Sequence, residues 1–370
     1  MKITHLNLYH LSMPLKSAFE TSFGSISTRD CVLVEAFTDS QVGYGECPAD
    51  RDPGYSYETV GTAMHILEDF LVPAVLGQEI KTAEQLQQSM AFVRGHNMAK
   101  AGLEMAFWDL LGKARGQSLA QMLGGVRLKV EVGVSVGLQE SPSRLVEVVR
   151  RYLQDGYSRV KIKIKPGRDV EDAFEVRKAF GDLRLQVDAN SAYSLENAAA
   201  LLPLDDLGLL MIEQPLAEDD LWDHHKLQEQ FRTPICLDES ITSPRLARQA
   251  LEMKACRVIN IKAGRVGGIS QAVAIHNLCL SKEVPVWCGG MLETGVGRAS
   301  NLALASLPGF SLPGDISATN RYYRKDITRE VFSLNADSTL DVPTGPGLGV
   351  NIDPSALNRF TLVEVSLPAD

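Results

Sequence analysis

From residue 130 to residue 312 the chain repeats one rhythm, a short β-branched or aliphatic run followed by an amphipathic stretch. The runs fall at 130–136, 159–164, 184–187, 209–212, 234–237, 258–261, 284–287 and 310–312. Strand and helix in alternation imply right-handed βαβ crossovers and a parallel sheet. An open, doubly wound sheet gives similar runs, but eight of them is the number that closes a (β/α) barrel. The expected fold class is therefore α/β, a TIM-like barrel.

The chain outside that rhythm reads differently. Runs at 3–9, 31–37 and 41–46, the last following the turn Asp39-Ser40, predict an antiparallel meander. Val60, Met64, Leu67, Leu71 and Val75 recur at three-to-four spacing, one apolar stripe of a helix, with Pro73 near its end. A further helix is expected over about 98–114. After Asp315 the alternation is lost, and Pro343-Thr344-Gly345-Pro346-Gly347 forms a turn cluster. The expected organisation is an α+β capping domain over 1–125, a barrel over 126–319, and a segment over 320–370 that returns to the cap.

Composition removes several classes of partner. Asp and Glu outnumber Lys and Arg by 46 to 37, and a net charge of −9 repels phosphate backbones and anionic membranes. No run reaches the ~18 apolar residues of a spanning helix, and the start lacks a signal-peptide pattern, so a cytoplasmic setting is expected. Cys31, Cys47, Cys236, Cys256, Cys279 and Cys288 show no zinc-ligand spacing and read as buried reduced thiols.

In a barrel the reacting groups sit where strands end, at one mouth. Here those ends are charged. Lys161-Ile162-Lys163 closes the second run, and Asp188, Glu213, Asp238 and Lys262 follow on the next four at intervals of 25, 25 and 24 residues. A single acidic residue after a strand is usually a helix cap or a solvated group. Three in register would repel one another unless a cation held them. Oxygen-only donors select Mg²⁺ or Mn²⁺ over zinc. Lys161 and Lys163, two apart on a strand, face the barrel interior together, whereas Lys165 lies nearer the loop and is expected to be solvated. A lysine beside a dication and another lysine has its pKa lowered toward that of a base. Lys262 approaches from the far side, so the pair could move a proton on either face of a carbon next to a carboxylate while the dication stabilises the enediolate. Arg265 either adds positive field that depresses the Lys262 pKa or is simply structural.

These residues resemble the enolase superfamily, specifically its muconate-lactonizing subgroup. Residues 19–24, 43–46, 260–268 and 287–295 resemble the N-succinylamino acid racemase / o-succinylbenzoate synthase family within it. The resemblance implies Mg²⁺ on Asp188, Glu213 and Asp238, Lys163 and Lys262 as the acid/base pair, and supporting roles for Lys161, Asn190 and Glu239. It implies syn dehydration to o-succinylbenzoate, a menaquinone precursor, racemisation of N-acylated amino acids, or both, on a small carboxylate substrate. Phe19 and Phe23, with Gly24 as a hinge, would belong to a lid, while Ser135 and Gly290-Met291-Leu292 would line the substrate space. Each aromatic could equally be ordinary core. Relatives are homo-oligomers, dimers to octamers.

Muconate cycloisomerase and dipeptide epimerase keep the same charged set. Dipeptide epimerases carry paired aspartates after the last strand, where this chain has Asp315-Ile316-Ser317. A mandelate-racemase-like enzyme needs a histidine base, and His276 sits in a helical stretch. A catalytically silent barrel that binds a metabolite is the alternative from another class. Two opposed buried lysines argue against it.

Overall fold

The computed structural model of the protein describes residues 1–22 and 24–369. Phe23 lies outside them. The first third builds an antiparallel sheet of β1 (His5–Thr21), β2 (Gly24–Phe37) and β3 (Val42–Cys47). Side chains alternate across a strand, so the two faces serve two cores. Leu6 and Leu8 join the cap's own cluster, while Tyr9, Leu11 and Met13 join the cluster that continues into the barrel. The helix Asn97–Arg115 packs on β3 so closely that a side chain at Gly45 would strike the Gly102 carbonyl. The apolar stripe from Val60 to Val75 is helical throughout but passes through a π turn at Leu67–Leu71. Pro73 has no N–H to donate, and the helix resets just before it.

The expected run at 130–136 is two elements. β4 (Lys129–Glu131) pairs away from the barrel, and β5 (Val134–Val136) is the first stave. They part at Gly133, whose Cα is backed by the Arg159 side chain. The staves continue in parallel as β6 (Arg159–Lys163), β7 (Arg184–Asp188), β8 (Ile212–Glu213), β9 (Ile235–Leu237), β10 (Val258–Ile261) and β11 (Val286–Cys288). The eighth run forms no ladder. Single parallel bridges, Val286 to Phe310 on one side and Gly314 to Val132 on the other, close the barrel there. After β7 the connecting helix is 3₁₀, at Ala198–Asp206, with Pro203 inside it.

The C-terminal segment divides its pairing. β12 (Thr339–Asp341) lies antiparallel to β4, and β13 (Thr361–Pro368) adds to the cap sheet beside β1. The fold is thus a TIM-like barrel with an α+β cap. Staves alternate as a closed barrel requires: Ile235 and Leu237 face the surrounding helices, while Cys236 joins Met211, Val258 and Trp287 in a small interior cluster. All six cysteines are buried and free. Among the described residues no helix is long and apolar enough to cross a membrane.

Candidate active site

The parity of the staves carries a charged column up the barrel interior. Arg159, Lys161 and Lys163 alternate with the outward-facing Val160 and Ile162, and all three are buried. Strand pairing sets Lys163 directly across from Asp188, and Asp188 across from Glu213. Asp238 stands one residue beyond β9, and Lys262 one beyond β10, on the sixth stave against the second for Lys163. The sequence-predicted lysines and carboxylates therefore meet at one mouth, and Lys165, only half-buried, stays near the loop.

Each ammonium holds carboxylates. Lys161 Nζ lies 3.1 Å from Asp188, 2.9 Å from Glu213 and 2.6 Å from Asp315. Lys163 Nζ donates to Asp188 Oδ2 and Asn190 Oδ1, both at 2.6 Å, and Asn190 in turn donates to Glu239 at 2.8 Å. Lys262 Nζ donates to Asp238 Oδ2 at 2.7 Å and to the Tyr55 hydroxyl at 3.0 Å. Arg265 pairs with the other oxygen of Asp238, so the two cations share one carboxylate.

Burial and charge set the titration of this cluster. Burial pushes Glu213 up to about 7, reinforced by the Asp188 charge. Asp188 is buried too, but Lys163 and Lys161 hold it well below the carboxylate range. Burial pulls Lys161 and Lys262 down, yet their surroundings win and both rise: Asp315, Glu213 and Asp188 for Lys161, the Tyr55 phenol and Glu239 foremost for Lys262. The chain's own charges thus act against the depression expected of lysines beside a dication. As they stand, no three His, Cys, Asp or Glu side chains among the described residues are arranged to hold a metal ion. The donor chemistry nevertheless fits a hard cation, because three buried carboxylates on neighbouring staves offer oxygen alone.

The backbone at this mouth is bent to purpose. Asn190, Ser191, Gln214 and Leu292 all have positive φ, at 43°, 61°, 37° and 58°. Such conformations persist only where surroundings impose them. Gln214 shows how: its Oε1 accepts from Asp238 N at 2.9 Å and its Nε2 donates to Ser240 at 2.7 Å, fixing two stave ends to each other.

A cavity of about 200 Å³ opens onto Lys161, Lys163 and Lys262. Phe19, Ser135, Asn190, Gly290, Met291 and Leu292, all expected there, line it, as does Gly24. The hairpin tip reaches the barrel, where Ser22 Oγ donates to the Asn190 carbonyl at 3.3 Å. Glu239 touches the site through Asn190, and its Oε2 is buried without a partner.

Three residues escaped the sequence. Asp315, buried between Arg159 and Lys161, ends the eighth stave, so the rule of charged stave ends reaches it once that stave is carried past Leu312. Asn260, which donates to Glu213 at 2.8 Å, lies two before Lys262 and shares its inward parity. Tyr55 comes from an irregular loop of the cap and had no periodic signal. His276, on the helix Ile269–Ser281, bonds Gly309 N and stacks on Phe310 outside the site.

The architecture and sequence match known proteins. Residues 3–124 match the family model "Mandelate racemase / muconate lactonizing enzyme, N-terminal domain", and residues 144–356 match "Enolase C-terminal domain-like". The chain is 50% identical over 363 residues to an o-succinylbenzoate synthase of Geobacillus kaustophilus, covering 98% of this chain and 96% of that protein. It is 49% identical over 362 residues to an N-succinylamino acid racemase of Thermus thermophilus, covering 98% of each. A solved enolase-superfamily structure from Listeria innocua superposes with a TM-score of 0.96 at 42% identity, over 100% of both chains. With both halves matched and near full-length relatives at about half identity, the chain belongs to the enolase superfamily, in its mandelate racemase / muconate lactonizing enzyme family.

Proposed function

We propose that this chain removes the proton next to a carboxylate, acting as an o-succinylbenzoate synthase, an N-succinylamino acid racemase, or both. The observation that carries the reading is the pair of ammonium groups, Lys163 and Lys262, brought to one cavity from the second and sixth staves. A substrate carbon held between them presents one face to each. In racemisation one lysine, as the free amine, takes the α-proton and the other returns a proton to the opposite face. In a syn elimination the proton and the hydroxyl leave on the same side. Lys163 then both takes the proton and hands one to the departing hydroxyl, while Lys262 flanks the enediolate with positive charge. Asn190 orients Lys163 through its 2.6 Å bond, and Tyr55 steadies Lys262. The cap excludes water from the charged groups, which strengthens each interaction.

Asp188, Glu213 and Asp238 would hold Mg²⁺ or Mn²⁺, with the other site residues in the roles the family resemblance gives them. Bound there, the cation supplies electrostatic stabilisation of negative charge developing on the substrate carboxylate. Support comes from the donor set, three buried carboxylates on neighbouring staves that offer oxygen alone. Asp315 is engaged by Arg159 and Lys161, which leaves it unsuited to receive a dipeptide amine. We include in the proposal a homo-oligomer in the cytoplasm. The exposed neighbours Val126 and Leu128, 67% and 76% accessible, support the assembly.

The test is α-deuterium exchange and turnover with the cyclohexadiene substrate and with N-succinylamino acids, before and after EDTA. Chelation is expected to stop both and Mg²⁺ or Mn²⁺ to restore them. Full activity in rigorously metal-free protein would overturn the carboxylate assignment.

A further inference from the structure

Almost every cation around the cavity is already neutralised. Arg29, Arg159, Lys161, Lys163, Lys262 and Arg265 each have a carboxylate within ion-pair distance. Arg321, which lines the neighbouring cleft, has no acidic ion-pair partner among the described residues. Its Nη2 donates to the Ser135 carbonyl at 2.9 Å, and its guanidinium lies over the rings of Tyr322, Tyr152 and Phe19 at 4.7, 4.9 and 5.8 Å. Its Nε is buried and has no hydrogen-bond partner. A guanidinium without a carboxylate partner and with one donor unmet favours the arrival of an anion.

Space for that anion is present. Arg321 faces a cleft of about 810 Å³ that is lined also by Lys16, Arg151 and Arg144, with Asp155 as its acidic lining residue. Arg144 is spent on Glu147, but the cleft still inverts the sign of an otherwise acidic protein. Phe19 lines both this cleft and the cavity of the lysines, so the two spaces adjoin at that residue. Ser135, whose carbonyl Arg321 holds, stands on the same wall.

We propose that the cleft behind Phe19 receives the second, distal carboxylate of a dianionic substrate, with Arg321 as its counter-ion. Arg321 is then the residue that distinguishes an acyl arm ending in a carboxylate from a neutral one. The inference rests on the proton-abstraction reading above and adds to it the residue and the cleft that hold the distal carboxylate. A planar guanidinium suits this task, since its free edge offers directed donors to a carboxylate.

The experiment compares N-succinylphenylalanine with N-acetylphenylalanine, which differ in the charge of the arm. Wild type, Arg321→Met and Arg321→Lys are each titrated calorimetrically and assayed for α-deuterium exchange, with thermal melts to confirm folding. Arg321→Met is expected to weaken binding and raise KM for the succinyl compound about 10- to 100-fold, the loss of one charge-assisted contact. The acetyl compound should change by less than about 3-fold, and Arg321→Lys should recover part of the succinyl preference. Equal losses on both arms would make Arg321 structural and overturn the proposal, as would an unchanged succinyl affinity. If the succinyl preference in binding vanishes in Arg321→Met while neither protein exchanges the α-proton, the subsite stands and the proton-abstraction reading falls.

Discussion

Lys163 and Lys262 are held by different partners, and the difference is testable one residue at a time. Lys163 rests on Asp188 and Asn190, whereas Lys262 rests on Asp238 and the Tyr55 hydroxyl, with its Nζ also 4.4 Å from the centre of the Tyr55 ring. Lys163→Ala should abolish deuterium exchange on one face of the α-carbon and cut turnover by ~10²–10⁴, the usual share of a general acid or base. Proton NMR in D₂O with each enantiomer reads this directly, and undiminished exchange on both faces would remove Lys163 from the chemistry. Tyr55→Phe should slow only the enantiomer that Lys262 deprotonates, by roughly 10-fold, the worth of one hydrogen bond. Equal slowing of both enantiomers would show that the hydroxyl serves the whole pocket. The lysines, the three acids and Lys161 were legible because strand parity and a constant repeat length place them without any knowledge of tertiary contacts. Tyr55 was not, because its contact with Asp238 joins residues 183 apart through a loop without period.

At the level of elements, local pattern predicted existence better than ends. The runs with two-residue alternation became staves, but the run at 130–136 holds a break that only the bulk of Arg159 behind Gly133 explains. The run at 310–312 forms no ladder, and the barrel closes there by single bridges on either side. The turn after Lys262 shows how an element end is enforced. Gly268 adopts φ 121° and ψ 178°, a region essentially restricted to glycine, and a side chain there would strike the Glu104 carboxylate. Gly268→Ala should therefore cost about 1–3 kcal/mol. It should also displace the segment carrying Lys262 and lower kcat. Urea unfolding and turnover check the two effects, and a variant as stable and active as wild type would refute the strain.

Across the whole molecule, two buried carboxylates bind the cap to the barrel. Glu46 on β3 accepts from Thr294 Oγ1 at 2.6 Å and from Gly297 N at 3.0 Å, at the start of the helix Gly295–Ala305. Glu104 accepts from Gln87 at 2.9 Å and Ser270 N at 3.3 Å, at the start of Ile269–Ser281. A carboxylate there is favoured by the helix dipole, but burial outweighs it and pushes both up to about 7 from an ordinary 4.5. The folded state then holds protons that the unfolded chain has released. The stability these groups contribute is full below about pH 4.5 and is lost as pH rises through about 7. Glu104→Gln should flatten part of that decline, retaining on the order of 1–3 kcal/mol more than wild type at pH 8 relative to pH 5. Parallel pH profiles of urea midpoints would contradict it. None of this was visible beforehand, since an acidic residue in a helix gives no sign of which distant helix it will meet.

The pairing of β13 with β1 has a consequence for how the cap can move. The polypeptide enters the cap sheet at its beginning and returns to it at its end, so the cap is stitched to the barrel by two crossings as well as by Glu46 and Glu104. Swinging it aside like a jaw would unzip a strand and strip two helices of their anchors. The far end of the β1–β2 ribbon is the part of the cap that neither crossing ties down. That ribbon loses regular pairing between Pro14 and Phe19, and its tip rests on the barrel mouth through Ser22.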